Sequence, residues 1–241
     1  MAFSKSFMTV AAGAVSVAVL AGTASAQSLI FQRGTETGSR FNPQAVALPG
    51  GYTLPNTIAF TNCVFTGGNT SANLSSFTFG IRQLAGAVNS SMRVYIGEMD
   101  TNGNLVTSSV RDLGLVSFDG SATAQTRLVT VNAPAGTSIN MNDLAGSGNP
   151  GFSGFFVGMR FEGPNAASNN HGWRVTNAPA VGAAFNYFAA YDPTVPISGN
   201  FSFTAPAPSY MYLDVTGTLV PAPGALALLG MAGLARGRRR R

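Results

Sequence analysis

Cysteine, histidine, lysine and tryptophan each occur once in these 241 residues, as Cys63, His171, Lys5 and Trp173, and each scarcity closes off a class of chemistry. A lone cysteine forms no internal disulfide, so stability has to come from buried surface. Within Thr61-Asn62-Cys63-Val64-Phe65 it reads as a small apolar core residue, with an intermolecular disulfide as its other use. One histidine and one cysteine cannot supply the three or four nitrogen or sulfur ligands of a zinc site. Nucleophilic catalysis needs a base beside the nucleophile, and the only histidine lies in Ser168-Asn169-Asn170-His171-Gly172-Trp173-Arg174, which reads as an exposed loop. Gly151-Phe152-Ser153-Gly154 is not a nucleophile elbow, because Phe155 stands where the last glycine belongs. A non-enzyme without a cofactor is expected.

Charge is sparse too, at 10% of residues, and the formal +5 is unevenly placed. Lys5 and the five arginines after residue 235 belong to the two ends; the eight remaining arginines face nine acids, a net charge of −1. No basic stripe remains to follow a polyphosphate, so nucleic acid is not an expected partner.

Between the ends the sequence also lacks any 3.6-residue periodicity long enough for a substantial helix. Short β-branched and aromatic runs alternate instead with Gly, Asn, Ser and Pro. This pattern predicts an all-β fold, a single antiparallel β-sandwich or jelly roll over residues 27–219. The clearest candidate strands are 57–65, 74–82, 92–99, 105–110, 113–118, 127–131, 154–161, 184–191 and 210–219. Two of them share a pattern of Phe, any residue, apolar, Gly, apolar, Arg: Phe77 to Arg82 and Phe155 to Arg160. They read either as equivalent strands of two related halves or as coincidence in an apolar, glycine-rich chain. Asp100-Thr101-Asn102-Gly103-Asn104 predicts a hairpin turn, since Asn-Gly tolerates positive φ. Its alternating oxygens also resemble a calcium loop, but the later bidentate glutamate is missing and the glycine is misplaced, so the turn is preferred and no metal is expected. Residues 146–154 and 163–172 read as polar loops. The Asn-x-Ser/Thr sequons at Asn69, Asn73, Asn89 and Asn200 are attributed to chance.

The two ends differ from this middle. Lys5, an uncharged apolar run over residues 7–22 and Ala24-Ser25-Ala26 are ordered as a secretory signal, with cleavage after Ala26. Residues 1–26 are therefore expected to engage the export translocon and signal peptidase. At the other end, Val220, Pro221, Ala222 and Pro223 precede an apolar stretch from Gly224 through Leu226, Leu228, Leu229 and Leu234, which closes on Arg236, Arg238, Arg239, Arg240 and Arg241. The prolines are expected to end the last strand at residue 219. As a helix, residues 224–235 would reach only about 18 Å at 1.5 Å per residue, against a hydrocarbon core of about 30 Å. The arginines would stay on the cytoplasmic, anionic face of the inner membrane.

Residues 220–241 resemble the PEP-CTERM sorting signal of exported bacterial proteins, in a Pro-Ala-Pro variant with Ala222 where glutamate is usual. The resemblance implies handling by an exosortase-like membrane protease and delivery to the cell envelope, cell surface or extracellular matrix. A non-catalytic structural or adhesive role is the leading expectation, and a carbohydrate-binding module its alternative. Exposed aromatics beside amides suit extracellular polysaccharide, and Asn169, Asn170, Trp173 and Arg174 are the one cluster of those types; Trp173 reads otherwise as core.

Overall fold

The computed structural model describes residues 28–45, 56–168, 170–195, 197–202 and 210–222. The predicted signal helix and C-terminal apolar helix lie outside them. Fifteen strands follow in order: β1 (Ser28–Gln32), β2 (Glu36–Phe41), β3 (Ile58–Thr66), β4 (Asn69–Gln83), β5 (Ser90–Glu98), β6 (Arg111–Phe118), β7 (Gln125–Asn132), β8 (Ser138–Asn140), β9 (Asn142–Leu144), β10 (Asn149–Glu162), β11 (His171–Thr176), β12 (Tyr187–Asp192), β13 (Ile197–Ser202), β14 (Tyr210–Met211) and β15 (Leu213–Pro221). Helical structure among the described residues is limited to two single 3-10 turns, Thr107–Ser109 and Ala145–Ser147. The all-β expectation holds.

The strands form two antiparallel sheets. In the first, of eight strands, β4 runs through the middle with β15 and β11 along one side and β7 and β8 along the other; β1 lies outside β15. In the second, of seven strands, β10 lies between β3 and β5, with the order β13-β12-β3-β10-β5-β6. Alternation puts Phe77, Phe79 and Ile81 of β4 on one face, and Phe155, Val157, Met159 and Phe161 of β10 on one face. All seven belong to one buried cluster that draws on both sheets. Cys63 lies in it fully buried, and burial raises its thiol pKa well above the ordinary value.

The second sheet is also covered on its outer face. A smaller cluster gathers Phe60, Phe156, Tyr95, Met99 and Leu144 beneath the connections that carry Leu105, Val110 and Phe185. The Asn62 carboxamide donates to Tyr187 O at 2.9 Å, which fixes one of these connections.

Several sequence expectations are corrected. Residues 105–110 are not a strand: Leu105 makes one bridge to Met99, and a 3-10 turn follows. Ser109 Oγ donates to Val106 O and accepts from Glu98 N, satisfying groups that a ladder would otherwise pair. The segment then lays Leu105 over Gly97, where an added Cβ would stand 2.5 Å from a Leu105 methyl. The loop expected over 146–154 gives way to β10 at Asn149. The loop expected over 163–172 ends at residue 170, because His171 and Gly172 open β11. The last predicted strand is divided at Tyr212 into β14 and β15. The proline pair does not stop it at residue 219: Val220 pairs with Ser71 and Pro221 with Asn69 after a bulge. Proline lacks only a donor, and here the ladder continues around it to Ala222 N, which donates to Gly68 O at 3.2 Å.

Candidate functional site

The residues proposed for glycan contact do not form one surface. Trp173 is fully buried, stacked at a tilt on Phe79 with ring centroids 5.4 Å apart, and its indole N–H donates to Tyr212 O at 2.8 Å. Its ring therefore cannot serve as an exposed platform. Arg174, the next residue in the strand, points to the opposite face and pairs with Glu36 at 2.9 Å. Asn170 uses its carbonyl to accept from Leu84 N, and Asn169 lies outside the described residues. His171 is likewise core, not loop: its ring meets Phe161 edge-on at 4.5 Å and Phe118 at 6.1 Å. Among the described residues neither ring nitrogen has a hydrogen-bond partner of good geometry. Burial, which the Ala166 backbone offsets only in part, pushes its pKa down to about 4, so it is neutral at pH 7.

Of the sorting motif, Val220, Pro221 and Ala222 lie at the end of β15. Pro223, Gly224, Leu226, Leu228, Leu229, Leu234, Arg236, Arg238, Arg239, Arg240 and Arg241 lie outside the described residues. No helix among the described residues is long and apolar enough to cross a membrane. The hairpin turn forms as expected: Gly103 has φ 83°, and Asp100 N donates to Asn104 O at 2.9 Å. Asp100 Oδ1 accepts from Asn102 N and Asn104 N at 2.9 and 2.8 Å.

Two clefts remain. The larger, about 610 Å³, opens between edge strands β6 and β7. Its polar lining is occupied in tying loops together: Asn89 Oδ1 accepts from Gly120 N at 2.7 Å, the Asn165 amide donates to Asn89 O at 3.0 Å, and Ser91 Oγ donates to Glu162 O at 3.3 Å.

The second, about 500 Å³, lies on the outer face of the seven-stranded sheet, beyond the edge of the smaller hydrophobic cluster. Register assembles it. Arg93 of β5 pairs with Arg160 of β10, Tyr95 of β5 with Asp112 of β6, and Tyr191 of β12 with Ile58 of β3. Period two then puts Arg93 with Tyr95, and Arg160 with Glu162, on one face. Arg93 bridges two carboxylates, Nε to Glu162 and Nη1 to Asp112, both at 2.8 Å; Arg160 reaches Glu162 at 2.6 Å. Burial alone would raise the Glu162 pKa, but the hydrogen bonds from Arg93 and Arg160 outweigh it and hold the carboxyl below its usual range. The bonds to Glu162 and Asp112 raise the Arg93 pKa. Burial pushes the Tyr95 hydroxyl up to about 12, so it remains a donor at neutral pH. This cleft was missed in the sequence, where the only trace is two alternating pairs, Arg93-x-Tyr95 and Arg160-x-Glu162, 67 positions apart.

No protein-family model matches the chain, and no curated protein matches it. Among solved structures, it is similar to the cysteine protease and lectin-like domains of Cwp84, a surface-layer-associated protein of Clostridium difficile, at 17% identity and TM-score 0.38. That match covers 68% of this chain and 32% of the other. It is also similar to a clostridial Cwp84 variant after propeptide cleavage, at 16% identity and TM-score 0.36, over 68% of this chain and 36% of the other. The chain thus spans about a third of each; likenesses this slight assign neither architecture nor activity.

Proposed function

We propose that the chain is an exported cell-surface or extracellular-matrix protein with a non-catalytic, structural or adhesive role. In this reading its two sheets form a β-sandwich, and residues 220–241 are a PEP-CTERM-like sorting signal. The observation that carries it is the placement of the ends. Strand β1, which begins two residues after the expected cleavage at Ala26, lies antiparallel to β15, with Ser28 opposite Gly217. Both terminal segments therefore leave the same end of the same sheet. A domain secreted through its amino terminus and held through its carboxyl terminus meets the inner membrane with that one end. Because the ladder ties the backbone down as far as Ala222, in this reading an exosortase-like protease cuts beyond Ala222.

Mass spectrometry of the secreted or surface-bound protein tests this. Mature chains should begin at Gln27, end past Ala222 and lack residues 229–236. Intact peptides through residues 229–236 in the mature form would make the tail a retained anchor. Neutral residues in place of Arg238 to Arg241 should release uncut protein, and replacing Pro221 and Pro223 should leave it uncut in the membrane.

A second reading, carbohydrate binding, is favoured by the cleft around Arg93 and Arg160.

A further inference from the structure

We infer that the cleft formed by Arg93, Arg160, Glu162, Asp112, Tyr95 and Tyr191 is a binding site for the sugar units of a neutral polysaccharide. The proposal rests on the surface-protein reading only for where such a ligand is met. Two guanidinium groups and two carboxylates sum to zero charge, and every nitrogen of Arg93 already contacts a carboxylate. An anion seated on Arg93 would have to displace Glu162 or Asp112, leaving a carboxylate unpaired in a partly desolvated site. A neutral polyol need displace neither. Its hydroxyls both donate and accept, so neighbouring sugar hydroxyls accept from a guanidinium and donate to the adjacent carboxylate, using lone pairs that the ion pairs leave open.

The rings complete the chemistry. Tyr191 is half-buried and presents an apolar body beside the charged groups, the surface against which the C–H face of a sugar ring rests. Tyr95 is 7% exposed, with the Arg160 guanidinium over its ring at 6.0 Å from the centroid. Neither hydroxyl has a protein partner among the described residues. The volume of about 500 Å³ falls within the roughly 300–1,000 Å³ of small-ligand pockets. The site is also rigid, since its lining stands on five adjacent strands, β12, β3, β10, β5 and β6, of a sheet covered on both faces, so little ordering has to accompany binding.

Affinity electrophoresis of the full chain in non-ionic detergent tests the site, in gels containing dextran, mannan or galactan, with polygalacturonate as the charged comparator. At least one neutral polymer should retard the protein. Tyr191→Ala and Asp112→Asn should each weaken that binding at least tenfold. Asparagine keeps the oxygen that accepts from Gly114 N at 2.7 Å, so Asp112→Asn spares the β6 bulge and removes only the charge facing Arg93. Leu128→Ala, on the outer face of the other sheet, should change nothing. No retardation in any neutral gel, retardation that survives both substitutions, or tighter binding to polygalacturonate would each overturn the proposal. The sorting reading stands or falls separately on the tail peptides, because the gel result does not depend on how the protein reached the surface.

Discussion

Strands β4 and β10 carry the same six-residue pattern at the centre of different sheets, and they differ where the sheets differ. In each, alternating apolar residues enter the shared core, Phe77, Phe79 and Ile81 in β4 and Phe155, Val157 and Met159 in β10. In each, a glycine on the outer face lies under an aromatic ring. A Cβ on Gly80 would stand 2.4 Å from the Tyr212 ring, and one on Gly158 2.5 Å from the Phe60 ring. The free position of the pattern holds Thr78 in β4 and Phe156 in β10. Thr78 faces outward and shares a hydrogen bond with Thr130 at 2.9 Å, beside Leu128, which is 55% exposed. Phe156 is buried in the second cluster. At this position, then, the outer face of the first sheet is open and that of the second is covered.

The sharpest break of the comparison is Phe156→Ala against Thr78→Ala. Removing a buried phenylalanine should cost about 3–5 kcal/mol, whereas the threonine change should stay within about 0.5 kcal/mol. Urea denaturation measures both; equal losses would mean that the outer faces are not differently covered.

Next in size is the contact between the sheets at His171, which sits on β11 of the first sheet against Phe161 of the second. Its folded pKa of about 4 lies below the ordinary 6.5, so the unfolded chain binds the proton more readily. Its contribution is fully present above pH 6.5, falls as the pH drops from 6.5 to 4, and changes no further below that. The loss should be about 3 kcal/mol. The stability of His171→Leu should fall less steeply across this window than that of the parent; parallel profiles would remove the histidine as the cause.

The glycines come third. Gly80→Ala and Gly158→Ala should each cost about 1–3 kcal/mol through overpacking against a ring. Gly158→Ala should also disturb Tyr95, its neighbour in register, and so the saccharide cleft; Gly80→Ala should not. Equal effects on polysaccharide retardation would break that distinction.

The strand cores and the Asn-Gly turn were legible in the sequence because alternation and turn chemistry are local. The cover on the second sheet was not, since residues 105–110 read as one more apolar strand and only Gly97 beneath Leu105 shows why they fold over. His171 looked like a loop residue among Asn and Gly, and Trp173 read either as core or as a glycan contact; β11 draws both inward by pairing with Gln83 and Ile81, about 90 residues earlier. The charged cleft was hidden for the same reason, because its members come from five strands and only register unites them.

The smallest expected effect concerns the turn at the edge of the cover. Both oxygens of Asp100 already accept bonds from Asn102 and Asn104, and the Gly103 carbonyl accepts from the Tyr187 hydroxyl at 2.6 Å and the Asn200 amide at 3.2 Å. A calcium ion would need six to eight oxygens, and here the available ones tie the turn to β12 and β13. Asp100→Ala should therefore cost about 1 kcal/mol, as expected for exposed hydrogen bonds. Adding calcium or a chelator should move the melting temperature by less than about 1 °C, because an ion that binds no tighter to the folded chain adds no stability. A melting temperature that climbed steadily with calcium concentration, and did so only while Asp100 was intact, would show that these oxygens exchange their hydrogen bonds for an ion. The cover of the second sheet would then be metal-dependent, and the first sheet, with its outer face open, would not share that dependence.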